Sequence, residues 1–118
     1  MLSEADIGRI VERIVVGCAP LVVGSFGSYA VGRAHTRSDL DLFIIQRTSL
    51  PPSARRRAVM QHLFGVLHPL DVHVFTPGEF EDGVREELSF AWIIVRQARI
   101  YHWSASAAHW VPSLRAPC

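Results

Sequence analysis

Two aspartates, Asp39 and Asp41, stand at the start of a run that is otherwise Leu, Phe and Ile, residues 40–45. On a β-strand, residues two apart project from the same face, about 6–7 Å from each other. Two like charges on a buried strand repel each other and lose hydration, so a compensating charge is needed. A divalent cation supplies it, and carboxylate oxygens select magnesium or manganese rather than zinc. In the alternative, Asp39 caps a turn after Ser38 and Asp41 is merely exposed at a strand start.

A glycine-rich segment, Gly27 to Gly32, follows an apolar run and contains no charged side chain. Small residues there let backbone N–H groups approach an anion, and a helix beginning at that point would add its positive end. The Gly27-Ser28 pair alone predicts little, because the preceding Gly24-Ser25 pair looks equally suitable. An ordinary turn is the alternative for either pair. What distinguishes Gly27-Ser28 is its separation along the sequence from the two aspartates, with ten residues between Ser28 and Asp39.

The first element that must position these residues is a helix at the start of the chain. Ser3 and Asp6 are typical of a helix N-cap and an acidic first turn. Behind them an apolar stripe recurs at three- and four-residue spacing, as on one face of a helix. The stripe consists of Ile7, Ile10, Val11, Ile14 and Val15. Gly17 and Pro20 are expected to end this helix.

Three short runs are predicted to be strands: residues 21–26, 40–46 and 70–75. Between the second and third, a helix is predicted with Ser53 as its cap and Pro69 as its stop. Its arginines, Arg55, Arg56 and Arg57, are expected to form a solvated face, with contact to RNA or a partner as the lesser alternative. Its apolar face is expected to hold Val59, Met60, Leu63, Phe64 and Leu67.

The end of the chain completes the predicted architecture. Residues 79–100 are predicted to form one long helix or two, and residues 104–118 a weakly structured or partner-dependent tail. The order helix, strand, loop, strand, helix, strand, helix is typical of an α/β or α+β domain with a small sheet backed by helices. Strands joined without a helical crossover can run antiparallel, so we expect a mixed sheet. A chain of 118 residues fits a single domain, residues 1–118.

The spacing of the two motifs resembles a known protein family. Gly27-Ser28, ten residues and then Asp39-x-Asp41 reproduce the G-S-x10-D-x-D signature of the DNA polymerase β-like nucleotidyltransferase superfamily. Residues 26–30 and 38–42 resemble its minimal, stand-alone members. The resemblance covers residues 21–80 by motif and the whole chain by length and element order. It implies the nucleotidyltransferase fold.

The resemblance also implies a metal site with a third acidic ligand on a later strand, and Asp71 matches that ligand in place. Two magnesium ions are implied: Asp39 and Asp41 would bridge both, and Asp71 would complete the site of the ion that activates the acceptor. Gly27 and Ser28 would hold the β and γ phosphates of a nucleoside triphosphate. Without the resemblance, a single carboxylate such as Asp71 would not define a site.

Several residues near the motif stay outside the predicted site. His73 shares the strand face of Asp71, but a lone strand histidine is more often packed or solvated. Val31, Arg33 and Arg37 differ from the residues that minimal members commonly carry at those positions. None of these differences removes a metal ligand, so they bear on the substrate and the level of activity rather than on the fold.

The composition argues against several other classes of protein. With 12 Lys+Arg and 11 Asp+Glu, the formal charge of +1 is not that of a general nucleic-acid binder. Two cysteines, Cys18 and Cys118, form neither a disulfide framework nor a metal knuckle. The uncharged run 14–32 approaches the length of a membrane span, but it contains Pro20 and four glycines and is better explained as helix end, strand and loop. With no targeting segment recognised, the chain is expected in the cytoplasm.

Small stand-alone members of this family often resemble the antitoxin of a HEPN–nucleotidyltransferase pair, in which AMP is transferred to a tyrosine of the toxin ribonuclease. The resemblance therefore implies ATP or another nucleoside triphosphate as substrate and a HEPN-type toxin as partner. The sequence is also compatible with a homo-oligomer. Aromatic and apolar residues between Phe90 and Trp110 suit a partner surface or, alternatively, a helix packed on the sheet. The enzymatic alternative is a small-molecule, aminoglycoside-type transferase. The non-enzymatic alternative is a module that neutralises its partner by contact.

Overall fold

The computed structural model describes residues 1–110 of the chain, with side chains as far as Ala107. The helices are α1 (Glu4–Cys18), α2 (Pro52–Met60), α3 (Pro77–Val84) and α4 (Phe90–Gln97). The strands are β1 (Val22–Phe26), β2 (Leu40–Ile45), β3 (Leu70–Phe75) and β4 (Arg99–Trp103). Short 3-10 segments lie at Gln61–Leu63 and Ala105–Trp110.

The four strands form one mixed sheet in the order β3-β2-β1-β4. Strand β1 runs antiparallel to both β2 and β4, whereas β2 and β3 are parallel. A helical crossover through α2 joins the parallel pair, as parallel strands require. The predicted mixed sheet and the α+β nucleotidyltransferase fold class are confirmed.

Helices cover both faces of the sheet, and the alternation of β2 assigns its side chains to the two cores. Leu40, Leu42 and Ile44 pack with the buried stripe of α1 and with residues of α2. Phe43 and Ile45 point to the other face, where they pack with residues of α3 and α4. By the same alternation, Asp41 lies on the α3–α4 face.

Helix α1 begins as predicted and ends slightly later. The Ser3 side chain accepts a hydrogen bond from the Asp6 N–H and the Asp6 side chain accepts one from the Ser3 N–H, so the first turn has a complete capping box. Gly17 lies inside the helix, where a Cβ would collide with the ring of His62. The left-handed residue that ends the helix is Ala19, with φ 47°. The helix was expected to end at Gly17 and Pro20; it passes Gly17 and ends at Cys18, before Pro20.

The helix after β2 is shorter than predicted. Pro51 is its N-cap, so Ser53 lies inside the first turn and is not the cap. The helix passes into a 3-10 segment after Met60. Phe64 and Leu67 lie beyond that segment and are 87% and 96% exposed. Their assignment to the apolar helix face is wrong, because the chain leaves the helix before it reaches them.

The region after β3 contains a strand that the sequence pattern did not predict. Two helices, α3 and α4, occupy residues 77–97, in agreement with the two-helix alternative. Residues 99–103 then form β4, which pairs with β1 at the edge of the sheet. In the predicted tail, Ala107 is fully buried against the α3–α4 core. Residues 111–118 of that tail lie outside the described residues.

The long uncharged run is divided among several elements. Residues 14–32 span the end of α1, the strand β1 and the turn that follows it. Within residues 1–110, no helix combines the length and apolar character that crossing a membrane requires.

A buried arginine joins α2 to α3 and corrects the prediction of a solvated arginine face. Arg55 is only 7% exposed; its Nε donates to the Leu50 carbonyl at 2.8 Å and its Nη1 to Glu79 Oε1 at 2.6 Å. Arg56 and Arg57 are exposed, as predicted. The hydrogen bond from Arg55, together with one from the Thr76 N–H, lowers the pKa of Glu79 below its ordinary value.

We predict that Glu79→Gln lowers the free energy of unfolding at neutral pH by about 1 kcal/mol or less, because Glu79 is partly exposed. A carboxylate with a lowered folded pKa stabilises the fold fully above about pH 5 and loses that contribution as the pH falls toward 3. Urea titrations of both proteins should therefore differ at pH 7 and converge at low pH. Glu87→Gln, at an exposed residue, is the control; a difference that persists unchanged at pH 3 would contradict the prediction.

Candidate functional site

Three of the predicted site segments meet at one end of the sheet because of how the strands run. Asp41 and Asp71 are direct partners in the parallel pair β2–β3. In the antiparallel pair β1–β2, Phe26 is the partner of Asp41, so the Gly27-Ser28 turn leaves β1 at the same end. Strand direction and register therefore place the glycine turn beside the two carboxylates.

The environment of Asp41 favours a bound cation. Burial raises the pKa of Asp41, and the negative charges of Asp71 and Asp39 raise it further, while His73 lowers it. Asp71 and Asp39 are thus both close enough to Asp41 to act on it electrostatically. A positive charge at this point would relieve the repulsion, and the oxygen donors suit a hard divalent cation.

Asp39 occupies a different environment from the other two aspartates. It precedes β2 and its side chain is exposed, whereas Asp41 and Asp71 are half-buried within their strands. Within residues 1–110, the side chains form no ready-made group of three or more histidine, cysteine, aspartate or glutamate ligands around one point. The fold therefore brings Asp41 and Asp71 together as neighbours and leaves Asp39 close to them but outside a common ligand cluster.

The segment before Asp39 is held by a network that the sequence did not reveal. Ser38 is buried, and its Oγ accepts a hydrogen bond from the His35 N–H at 2.9 Å. The Ser38 carbonyl lies 2.9 Å from His68 Nε2. Because a carbonyl oxygen only accepts, His68 carries its proton on Nε2. The His68 ring in turn packs edge-on against Tyr29 at 5.9 Å between centroids.

Gly27 is required at its position for two independent reasons. Its φ is +73°, which side-chain-bearing residues rarely adopt. In addition, a Cβ on Gly27 would collide with Asp41 Oδ2. The Gly27 carbonyl accepts the N–H groups of Ala30 and Val31 at 3.1 and 3.2 Å, which closes the turn. The glycine thus lets the turn lie directly against a site carboxylate.

The two predicted phosphate-binding residues are not equally available. The Gly27 N–H donates to Gln97 Oε1 at 3.0 Å, so this amide already has an acceptor. Ser28 is half-exposed, and its hydroxyl makes no hydrogen bond to the described residues. Of the two, Ser28 therefore offers the open polar group, and Gly27 supplies the shape of the turn.

Aromatic rings line the site beside Asp71. The His73 ring contacts Phe26 and Phe90 at centroid distances of 5.6 and 4.6 Å, and those two rings also contact each other at 5.3 Å. His73 Nε2 is 3.0 Å from Asp71 Oδ2, within ion-pair distance. The direction of approach does not fit a hydrogen bond, and the buried Nε2 has no hydrogen-bond partner in the described part of the chain. His73 therefore borders the site, although the sequence analysis left it out of the catalytic set.

Residues from α4 form a wall of the site that sequence reasoning missed. Phe90 is 42% exposed and contacts the His73 ring, and Gln97 reaches the Gly27 turn. Phe90, Ile94 and Gln97 have the spacing of one helix face, but the fully buried Ile94 packs in the core. The sequence showed the helical periodicity of this segment, but it did not show the contacts that α4 makes with Gly27 and His73, which lie far away in the sequence. Packing of α4 on the sheet was the predicted alternative to a free partner surface.

A family model described as the nucleotidyltransferase domain matches residues 9–101, more than half of the chain. Among curated proteins, none matches the sequence significantly. The fold resembles a candidate nucleotidyltransferase from Sulfolobus solfataricus, with a TM-score of 0.57, 21% identity and coverage of 85% of this chain and 78% of that one.

Two toxin–antitoxin structures have a similar fold. One is the crystal structure of a toxin–antitoxin with AMP-PNP, with a TM-score of 0.56, 19% identity and coverage of 88% of this chain and 83% of that one. The other is a mutant of the toxin–antitoxin MntA-HpeT, with a TM-score of 0.56, 18% identity and coverage of 96% of this chain and 84% of that one. At these identities the likeness establishes the fold alone.

The two reasons for glycine at position 27 can be separated by a matched pair of variants. Gly32 has nearly the same φ, +75°, but a Cβ there meets nothing within 4 Å. We predict that Gly32→Ala lowers the free energy of unfolding by about 1 kcal/mol from backbone strain alone. Gly27→Ala should lower it distinctly more, because the methyl group also displaces Asp41. Equal losses in urea titrations would show that the Asp41 contact does not constrain the turn.

Proposed function

The chain belongs to the nucleotidyltransferase domain family, and from that membership we propose that it transfers AMP from ATP, with magnesium, to a partner toxin protein. The observation that carries the proposal is the pairing of Asp41 with Asp71 on adjacent strands, directly beside the Gly27 turn. Family membership supports nucleotidyl transfer as the reaction class. The metal, the nucleotide and the acceptor are the finer parts of the proposal.

The aspartates suit magnesium as the resident metal. Asp41 and Asp71 would hold one ion between them, and the exposed Asp39 would turn inward to complete the set for two ions. When bound, magnesium would neutralise the triphosphate and make an acceptor hydroxyl easier to deprotonate. The raised pKa of Asp41, caused first by burial and then by the charges of Asp71 and Asp39, supports this assignment, because the carboxylates repel one another when no cation is present.

The chain's own residues would orient the reactants around that charge. The Ser28 hydroxyl would donate to the triphosphate, and the Gly27 turn would hold it near Asp41. In the transfer, the acceptor oxygen forms a bond to the α-phosphorus while the bond to pyrophosphate breaks, and the acceptor proton passes to solvent. Nucleotidyl transfer depends mainly on such positioning and charge neutralisation.

Two structural neighbours support our proposal of a protein acceptor of the HEPN toxin type. The neighbouring fold with AMP-PNP and the MntA-HpeT neighbour are both toxin–antitoxin structures. The aromatic wall of His73 and the partly exposed Phe90 lies beside Asp71. A ring-bearing acceptor such as tyrosine would stack there with its hydroxyl toward the carboxylates.

We predict that Asp39→Ala/Asp41→Ala reduces the transfer of labelled AMP to the partner by more than about a hundredfold, since even residues that only support metal ligands contribute 10- to 100-fold. The measurement is magnesium-dependent labelling of the neighbouring gene product, read by mass spectrometry. Asp82→Asn, at an exposed residue of α3, is the control and should transfer normally. If the double variant still neutralises the partner fully in cells, the protein acts by contact and the enzymatic account of its role fails.

Metal binding can be tested without any acceptor. We predict that Asp41→Asn melts at the same temperature as the metal-free wild type or higher, because the substitution removes a half-buried charge repelled by Asp71 and Asp39. Added magnesium should raise the melting temperature of the wild type but not that of the variant, since only a ligand bound to the folded state stabilises it. Asp82→Asn should respond as the wild type does. A magnesium response that survives Asp41→Asn would exclude Asp41 as a ligand.

A further inference from the structure

The side chain of Gln97 reaches across the end of the sheet to the glycine turn. Strands β1 and β4 pair as far as Ser25 and Arg99. Continuing that register by two residues places Gly27 opposite Gln97, where α4 ends and no main-chain pair forms. Instead, Gln97 Oε1 accepts the Gly27 N–H at 3.0 Å. The glutamine side chain thus replaces the next bond of the strand ladder.

This hydrogen bond fixes which way the Gln97 amide faces. A backbone N–H only donates, so the atom facing Gly27 must be the oxygen Oε1. The Nε2 group therefore points away from Gly27, and it donates to no other residue within the described part of the chain. The Nε2 atom is not fully buried, so it remains accessible to a ligand. Gln97 therefore presents two oriented N–H donors that no side chain or carbonyl of the described residues accepts from.

The Gln97 amide lies next to the glycine turn that borders Asp41. Gln97 ends α4, which packs on the same sheet face from which Asp41 projects. Gly27, its hydrogen-bond partner, is so close to Asp41 that a Cβ would strike the carboxylate. A phosphate chain bound with a cation at Asp41 would therefore lie near the glycine turn. Oriented amide donors at such a place suit phosphate oxygens.

We propose that Gln97 is a triphosphate-binding residue, which holds the Gly27 turn through Oε1 and donates through Nε2 to the phosphate chain of the nucleotide. The assignment rests on the proposed function, because it takes a nucleoside triphosphate as the ligand. It also accounts for the Gly27 N–H, which is satisfied within the protein. The donor to the anion is the Gln97 amide rather than the Gly27 amide.

Two substitutions separate the two roles of the side chain. Gln97→Glu keeps an acceptor for the Gly27 N–H but loses the donor and adds a negative charge near Asp41, so the variant should bind phosphate poorly. Gln97→Met removes both groups without adding charge, which distinguishes a lost contact from simple repulsion. The same two substitutions at Gln61 are the controls, because Gln61 is exposed in the 3-10 segment whose Leu63 packs on the opposite sheet face.

Calorimetry with magnesium and either a non-hydrolysable ATP analogue or inorganic tripolyphosphate measures binding in the absence of any acceptor. Both Gln97 variants should bind roughly tenfold or more weakly than the wild type, the loss expected for one hydrogen bond to a charged group. The Gln61 variants should bind normally. Unchanged affinity in a folded Gln97 variant overturns the assignment.

A measurement on the wild type covers the case in which a variant does not fold. The Gln97 side-chain amide signals in a ¹⁵N-resolved NMR spectrum should shift when magnesium tripolyphosphate is added. If the wild type binds the ligand and these signals do not move, Gln97 is not a phosphate contact and the proposed function stands without it. If the wild type binds neither the ATP analogue nor tripolyphosphate, the proposed function fails, and the role of Gln97 fails with it.

Discussion

The repulsion between Asp41 and Asp71, direct partners on adjacent parallel strands, constrains the rest of the molecule. No folding advantage follows from pairing two half-buried carboxylates, and the raised pKa of Asp41 records the unfavourable effect of burial and neighbouring charge. The surrounding apolar sheet must supply enough stability to tolerate it. It does so through β2, in which every residue but Asp41 is fully buried. The residue of the turn that lies against Asp41 must also be a glycine, because a Cβ at position 27 would collide with the Asp41 carboxylate.

The two helical layers serve this arrangement in different ways. Helices α1 and α2 cover one face of the sheet, and their buried residues form a continuous apolar core with the strands. Helices α3 and α4 cover the other face only partly, so the carboxylate end of the sheet stays open beside Phe90 and Gln97. The second layer therefore both completes a core and forms one wall of the site. A substitution in α4 can consequently alter the site without touching an aspartate.

Local sequence patterns predicted the parts of the fold that depend on local forces. The N-cap at Ser3 and the strand 70–75 were confirmed because hydrogen-bonding side chains and alternation act over a few residues. The edge strand β4 was missed because its identity depends on pairing with β1, about 75 residues earlier in the chain. Phe64 was misplaced because the helix ends at Met60 and the 3-10 segment at Leu63, so that Phe64, with ψ 133°, is no longer helical. Gln97 was invisible for the same reason as β4: its partner is 70 residues away.

The site likewise divides into a part fixed by the fold and a part that a ligand would have to arrange. Asp41 and Asp71 cannot separate without breaking strand register, so they form a permanent pair. Asp39 precedes the strand and is exposed, and reorienting an exposed carboxylate costs little more than side-chain entropy. The absence of a three-ligand cluster among residues 1–110 is therefore compatible with a proposed metal site in which two ligands are preorganised and the third responds to charge. The signature spacing relates Asp39 to Gly27 along the sequence, but it is strand pairing, not spacing, that makes Asp41 and Asp71 the rigid half of the site.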